Sequence, residues 1–252
     1  MGFLDLLRRG AAAGAAAGCA AALMMWLVVE PLLRKALVIE DARNARTMSG
    51  HRMSEMEEPL VSRTGQVLGG MTTGLIVRLI FGVVFAIVFG KVRHRLPATT
   101  DYGRSLMLAL LGFGVFTLAP ALKIPGNPPA VGDPATVGRR TLIYVLTILI
   151  ALALVLAAFE LDRFLASRHL SSPVRTTLVV IAFVAVAGTV FALTPGTPDK
   201  IASDMPAKLI WDFRIAYLAQ LGLMWATLGM VFGLLVTPRR QGAAAAGEVS
   251  IA

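Results

Sequence analysis

Between Met48 and Glu58 this chain gathers three thioethers (Met48, Met53, Met56), the imidazole of His51 and the carboxylates of Glu55, Glu57 and Glu58. Imidazole and carboxylate suit divalent cobalt, nickel or zinc, whereas a thioether-dominated set suits Cu(I). The mixture fits a metal-collecting segment without choosing the metal, and an ordinary solvated acidic loop has the same composition. Two further carboxylates lie beside apolar runs, Glu30 after the first and Asp204 before the last. The candidate metal ligands are therefore Glu30, His51, Met53, Glu57, Glu58 and Asp204.

Arg78 is a second chemical oddity, about eight residues into an apolar run and so roughly 12 Å from its start. A charge there costs on the order of 3 kcal/mol. A carboxylate, a freed carbonyl or a hydrated cavity would offset it, with Glu30 the nearest acid at a helix end on that side. The alternative is that Arg78 snorkels to an interface. Catalytic patterns are missing: there is no phosphate-cradling Walker sequence, no HExxH helix and no GxSxG elbow. The sequence thus indicates no enzyme, no permanently bound cofactor and no ATP-driven pump on this chain alone. Cys19 is the single cysteine, so one copy forms neither a disulfide nor a cysteine-based metal site.

These groups need elements to hold them, and the composition says in what solvent. The 252 residues are 56% hydrophobic and only 15% charged, against about a quarter charged in a soluble domain. The net charge of +9 could suggest nucleic acid, but Lys and Arg cluster beside apolar runs, where lipid headgroups attract them. The expected partner is the bilayer, not nucleic acid. Six runs are long enough to cross it as helices: Gly10–Val29, Met71–Gly90, Ser105–Leu122, Thr141–Phe159, Val174–Leu193 and Ile215–Val236. Arg8-Arg9 before an Ala-rich stretch resembles a cleavable signal, but the run exceeds a usual signal core and is read as a retained helix.

Residues 1–236 are expected to form one all-α membrane domain, with 30–70 a long acidic outer loop and 237–252 a short flexible tail. Six spans put both termini on one side. Arg8-Arg9, the Lys91 to Arg95 cluster and Arg239-Arg240 make that side cytoplasmic by the bias of positive residues in short loops. Ten of the 15 carboxylates then lie on the outer side. Phe116-Thr-Leu-Ala-Pro120 recurs as Phe191-Ala-Leu-Thr-Pro195, each followed by an acid-proline signal, an arginine (Arg140 or Arg214) and a tyrosine (Tyr144 or Tyr217). Pro31, Glu58-Pro59 and Arg63 give a fainter copy. The pattern predicts three helical hairpins in a parallel internal repeat, with sites at repeat interfaces as in transporters; prolines that end helices and acids that cap them explain part of it.

Gly10, Gly14 and Gly18 at four-residue spacing, echoed by Gly229 and Gly233, let another helix of the chain or of a homo-oligomer approach closely. In the loops, Asn127, Asp133 and Asp204 are expected to cap helix starts. Lys123 is expected to pair within the loop, with Asp133 the candidate, and Arg140 and Arg214 to pair with loop acids.

The string Pro120-Ala-Leu-Lys-Ile-Pro-Gly-Asn-Pro-Pro-Ala-Val-Gly-Asp-Pro134, followed by Gly138-Arg-Arg-Thr141 and Tyr144, resembles the CbtA family. So do Pro206-Ala-Lys-Leu-Ile-Trp-Asp-Phe-Arg-Ile-Ala216 with Gln220, Trp225, Gly229 and Gly233, and Glu58-Pro-Leu-Val-Ser-Arg63. The resemblance implies a subunit for cobalt transport in the bacterial plasma membrane. It also implies a link to cobalamin metabolism and a small histidine-bearing single-helix companion, CbtB. Nickel is the next expected cargo, and a non-transporting membrane scaffold is the competing reading. The family is usually described with five spans, where this sequence has six, and many members carry a histidine-rich first outer loop where this chain has His51.

Overall fold

The computed structural model of the chain describes residues 2–48, 63–129, 131–199 and 201–237. The described residues are helical, without strands: α1 (Phe3–Met24), α2 (Glu30–Met48), α3 (Arg63–Val92), α4 (Asp101–Phe113), α5 (Ala119–Lys123), α6 (Val137–Ser167), α7 (Ser172–Leu193) and α8 (Ala207–Val236). They provide six helices long and apolar enough to cross a membrane, the expected number.

The helices overrun the expected spans at their polar ends. The first does so most, continuing to Met48 where a loop from Glu30 was expected. Proline in a helix removes one N–H and its ring clashes with the carbonyl four residues back. Here the helix widens instead of stopping: Met25–Val29 wind as π-helix, and the N–H of Glu30, just before Pro31, donates to the carbonyl of Met25, five residues back. Gly114–Leu118 repeat the device before Pro120, with the N–H of Ala119 on the carbonyl of Gly114. The helix before Pro195 simply ends at Leu193.

α1 lies between α3 and α8, and α4 packs on the far side of α8. Contact at α1–α3 is backbone to backbone. A Cβ on Gly10 would come within 2.6 Å of the Ala86 Cβ, one on Gly14 within 3.0 Å of the Gly82 Cα, and one on Gly82 within 2.8 Å of the Gly14 nitrogen. Gly229 and Gly233 do the same work between α8 and α4, against Ala109 and Tyr102. Helices in lipid gain little from hydrophobic burial, so small residues and interhelical hydrogen bonds hold them. Three such bonds radiate from α8: Gln220 Nε2 donates to the Ala21 carbonyl (3.0 Å), Trp225 Nε1 to Thr117 Oγ1 (3.0 Å), and Ser105 Oγ donates to the Gly229 carbonyl (2.7 Å). Edge-on rings complete the core, Phe81 on Trp225 at 5.0 Å and Phe89 on Phe232 at 5.1 Å.

α6 and α7 form a peripheral hairpin turned at His169, whose φ of 59° is the left-handed conformation that ends α6. α7 has no buried residue. It packs on α6, while α8 packs on α1 and α4, so the expected third hairpin is continuous in sequence without being a packed pair.

Replacing Gly14 by leucine is expected to lower stability by about 1–3 kcal/mol through overpacking. Gly188→Leu, on α7 where an added Cβ meets nothing within 4 Å, should stay within about 0.5 kcal/mol. Thermal unfolding of both variants in detergent checks this.

Candidate functional site

The three long connections meet at one end of the bundle. α2 rises over it and presents Leu32, Ala36 and Ile39 to Val131, Met205, Leu209 and Ile210, forming a small apolar core under a polar cap. Arg43, farther along α2, reaches across to the loop before α8. Its Nε and Nη2 hold the two carboxylate oxygens of Asp204 at 2.9 and 2.6 Å. These two bonds, ahead of every other influence, keep the Asp204 carboxyl below its ordinary range. Asp204 therefore faces a guanidinium and not the start of α8, whose N-cap is Pro206.

At the centre of the cap sits Asp199, a residue the sequence did not single out. Its side chain is 2% exposed. Arg140 Nη1 donates to Oδ2 at 3.2 Å, the Asn127 amide reaches the same oxygen at 3.5 Å, and the Thr136 hydroxyl lies 3.0 Å from Oδ1. Asn127 turns its own carbonyl oxygen to Arg214, accepting from Nη2 at 2.7 Å and Nε at 3.2 Å. One carboxylate thus gathers Asn127, Arg140 and, through the amide, Arg214. Asn127 is a bridge here and not a helix cap, and Arg214 meets an amide where an acid was expected. Gly132 makes room: its φ of +120° suits glycine, and a Cβ there would come within 2.8 Å of the Arg140 guanidinium. The only sequence signal for Asp199 was its place after Thr197-Pro198, a turn in which the Thr197 hydroxyl accepts from the Asp199 N–H at 3.2 Å.

Asp133 caps the short turn that starts α6, accepting from the Ala135 N–H at 2.9 Å. Lys123 pairs elsewhere: its ammonium donates to the carbonyls of Phe191 and Thr194 (2.8 Å to the latter) and lies 5.2 Å from the Phe191 ring centre. A cation on the last carbonyls of a helix satisfies groups that lack intrahelical partners and opposes the dipole. The two copies of the Phe-x-x-x-Pro motif are thereby joined, Lys123 following the first and capping the helix that carries the second.

Glu30 accepts from Arg34 one turn on at 2.9 Å. Arg78 lies away from the cap, on the α1–α3 contact. Its Nη1 donates to the Gly74 carbonyl at 3.0 Å, and its buried Nε has no partner among the described residues. The side chain is seated in notches left by two glycines, since a Cβ on Gly18 would come within 3.2 Å of its Cδ and one on Gly74 within 2.8 Å of Nη1. Neither Glu30 nor any other described carboxylate forms an ion pair with it. His51, Met53, Glu57 and Glu58 lie outside the described residues. Among the described residues no three His, Cys, Asp or Glu side chains are grouped to hold a metal ion.

The cap is thus a set of helix ends and loops tied by charge, on a six-helix membrane bundle. Residues 3–237 match the family model described as probable cobalt transporter subunit (CbtA). The chain belongs to the CbtA family. No curated protein and no solved structure matches it. In this CbtA-family chain the match covers the whole bundle and all three connections of the cap, so family membership and the site's geometry concern the same residues.

Because Asp199 is buried and holds Arg140, Asp199→Ala is expected to cost about 3 kcal/mol, the lower end for breaking a buried ion pair. Asp133→Ala, which loses only a cap, should cost about 1 kcal/mol. Denaturant titration of the purified variants ranks them. The lowered carboxyl of Asp204 adds a pH effect with a definite sign: its stabilising share is present above the ordinary carboxylate value of about 4 and is lost as pH falls through the depressed one. Wild type should therefore lose more thermal stability than Asp204→Asn between pH 5 and pH 3, measured as the shift in midpoint.

Proposed function

We propose that this chain is the membrane-embedded subunit of a cobalt-uptake system in the bacterial plasma membrane, serving cobalamin metabolism, with nickel as the next cargo. The observation that carries this reading is the family match over residues 3–237. On this reading the basic end with both termini is cytoplasmic, by the bias of positive residues in short loops, and the cap faces outward. Ten of the 15 carboxylates fall on that outer side, where they would raise the local concentration of divalent cations.

The proposed ligands are Glu30, His51, Met53, Glu57, Glu58 and Asp204, with Asp204 available only when Arg43 releases it. Lys123, Asn127, Asp133, Arg140 and Arg214 hold the cap closed in this scheme, and opening requires Arg140 to part from Asp199. Arg78 is a fixed charge within the α1–α3 contact. The parallel three-hairpin repeat belongs to the same reading; the matching π-helical turns before Pro31 and Pro120 support it for the first two hairpins. A CbtB-like single-helix companion is the proposed partner, with homo-oligomerisation on the small-residue faces as a further mode of assembly.

A second reading, a non-transporting scaffold subunit, is favoured by one observation: the described residues contain no three-ligand cluster. Uptake of cobalt, nickel and zinc into proteoliposomes separates the two. Transport predicts cobalt flux that needs this chain, with or without the companion, and a fall of at least tenfold in Arg78→Leu and in the Asp133→Ala/Asp204→Ala pair. A stable complex whose cobalt flux survives the double substitution favours the scaffold, and no metal-dependent flux in either preparation sinks the transport reading.

A further inference from the structure

At the end of the bundle opposite the cap, the first turn of α1 and the last turns of α3 enclose a cavity of about 440 Å³. That lies within the roughly 300–1,000 Å³ range of small-molecule sites. Phe3, Leu6 and Ile87 supply its apolar lining, while Phe89, packed on Phe232, borders it from the core side of α3. Gly2 also lines it, with open space where a Cβ would stand, so a side chain can be placed there. Phe3 and Ile87 are also exposed on the lipid-facing surface, so the slot opens sideways to the bilayer.

Its rim is cationic. Lys91 and Arg93 line it; Lys91 is exposed and forms no ion pair among the described residues, and Arg93 has only Asp101 at 3.8 Å. The nearest acid on α1, Asp5, is held by Arg9 at 2.9 Å. The N-cap of α1, Gly2, offers no side-chain cap to the first-turn N–H groups, which adds positive potential at the same rim. An apolar slot and an anion-seeking rim a few ångströms apart match one amphipathic molecule. Free phosphate has nothing to fill the slot, and a zwitterionic headgroup brings an ammonium against the cations.

We propose that this cavity binds an anionic phospholipid, one acyl chain along Phe3, Leu6 and Ile87 and the phosphate on Lys91 and Arg93. The lipid then bridges α1 and α3 at the end where their glycine contact finishes. Basic pockets at the cytoplasmic interface commonly take such headgroups, and the inference does not depend on what the chain transports.

The test is native mass spectrometry and thermal unfolding of the full chain in nanodiscs of phosphatidylglycerol and phosphatidylcholine. Wild type should retain phosphatidylglycerol selectively and gain thermal stability from it. Lys91→Gln/Arg93→Gln should retain it about thirtyfold less, in line with the contribution of two basic side chains at a membrane surface. Gly2→Trp, which fills the slot and leaves both charges, should lose it as well, while Arg8→Gln, an exposed cation outside the cavity, should not. Retention by both the charge and the filling variants overturns the proposal. So does equal retention of phosphatidylcholine, equal loss in Arg8→Gln, or equal stabilisation by inorganic phosphate.

Discussion

The close approach of α1 and α3 at Gly10, Gly14 and Gly82 is the contact from which the remaining arrangement follows. Two helices that meet backbone to backbone in lipid are held by dispersion and the absence of side chains, because lipid tails compete for any apolar surface. With one side of α1 committed to α3, the other is free for α8, and Gln220 fixes that pairing by donating to a backbone carbonyl of α1. The same contact seats Arg78, whose side chain lies along Gly18 and Gly74. A half-buried guanidinium is tolerated here because two missing Cβ atoms leave room for it and a helix carbonyl accepts a hydrogen bond from it.

Because α1 stands in the middle, its continuation stands over the middle too. The π-helical turn at Met25–Val29 carries the helix past Pro31, so α2 becomes a strut that reaches both distant loops, through Arg43 to Asp204 and through Ala36 to Val131 and Met205. Had the helix stopped at Val29, the Arg43–Asp204 pair and the apolar contact to Val131 and Met205 would be lost. The third membrane helix, α4 continuing into α5, uses the same widened turn before Pro120 for a shorter extension, ending in Lys123, and that lysine caps α7. Prolines that usually end helices here set how far each one projects beyond the apolar layer.

The two ends differ in how charge is satisfied. At the cap Asp133, Asp199 and Asp204 each have a donor: a backbone N–H, the half-buried Arg140, and the bidentate guanidinium of Arg43. Asp199 and Asp204 are thus already occupied, so access to either is coupled to moving an arginine, while the exposed Asp133 is held by a backbone N–H. At the other end Lys91 has no partner among the described residues and Arg93 has a distant one, which leaves that end charged toward whatever lies against it. A cobalt-transport subunit with this division has a cap closed by internal ion pairs and a basic end open to the membrane.

Hydrophobic run length by itself determined that the chain is a six-span membrane protein, because a helix is the structure that satisfies its own backbone inside lipid at that length. Glycine spacing likewise marked Gly10, Gly14, Gly18, Gly229 and Gly233 as contact positions, since four residues bring them to one face. What only the tertiary structure decided are relations between distant segments. Asp199 and Thr136 were unremarkable loop residues until folding put Asn127 and Arg140 around that carboxylate; Gly82 gained meaning only opposite Gly14; and the partners of Lys123 and Asp204 proved to be helix carbonyls and Arg43. Local sequence encodes how a segment satisfies its own backbone, and it carries no record of which of several nearby charges will be close enough, and dry enough, to pair.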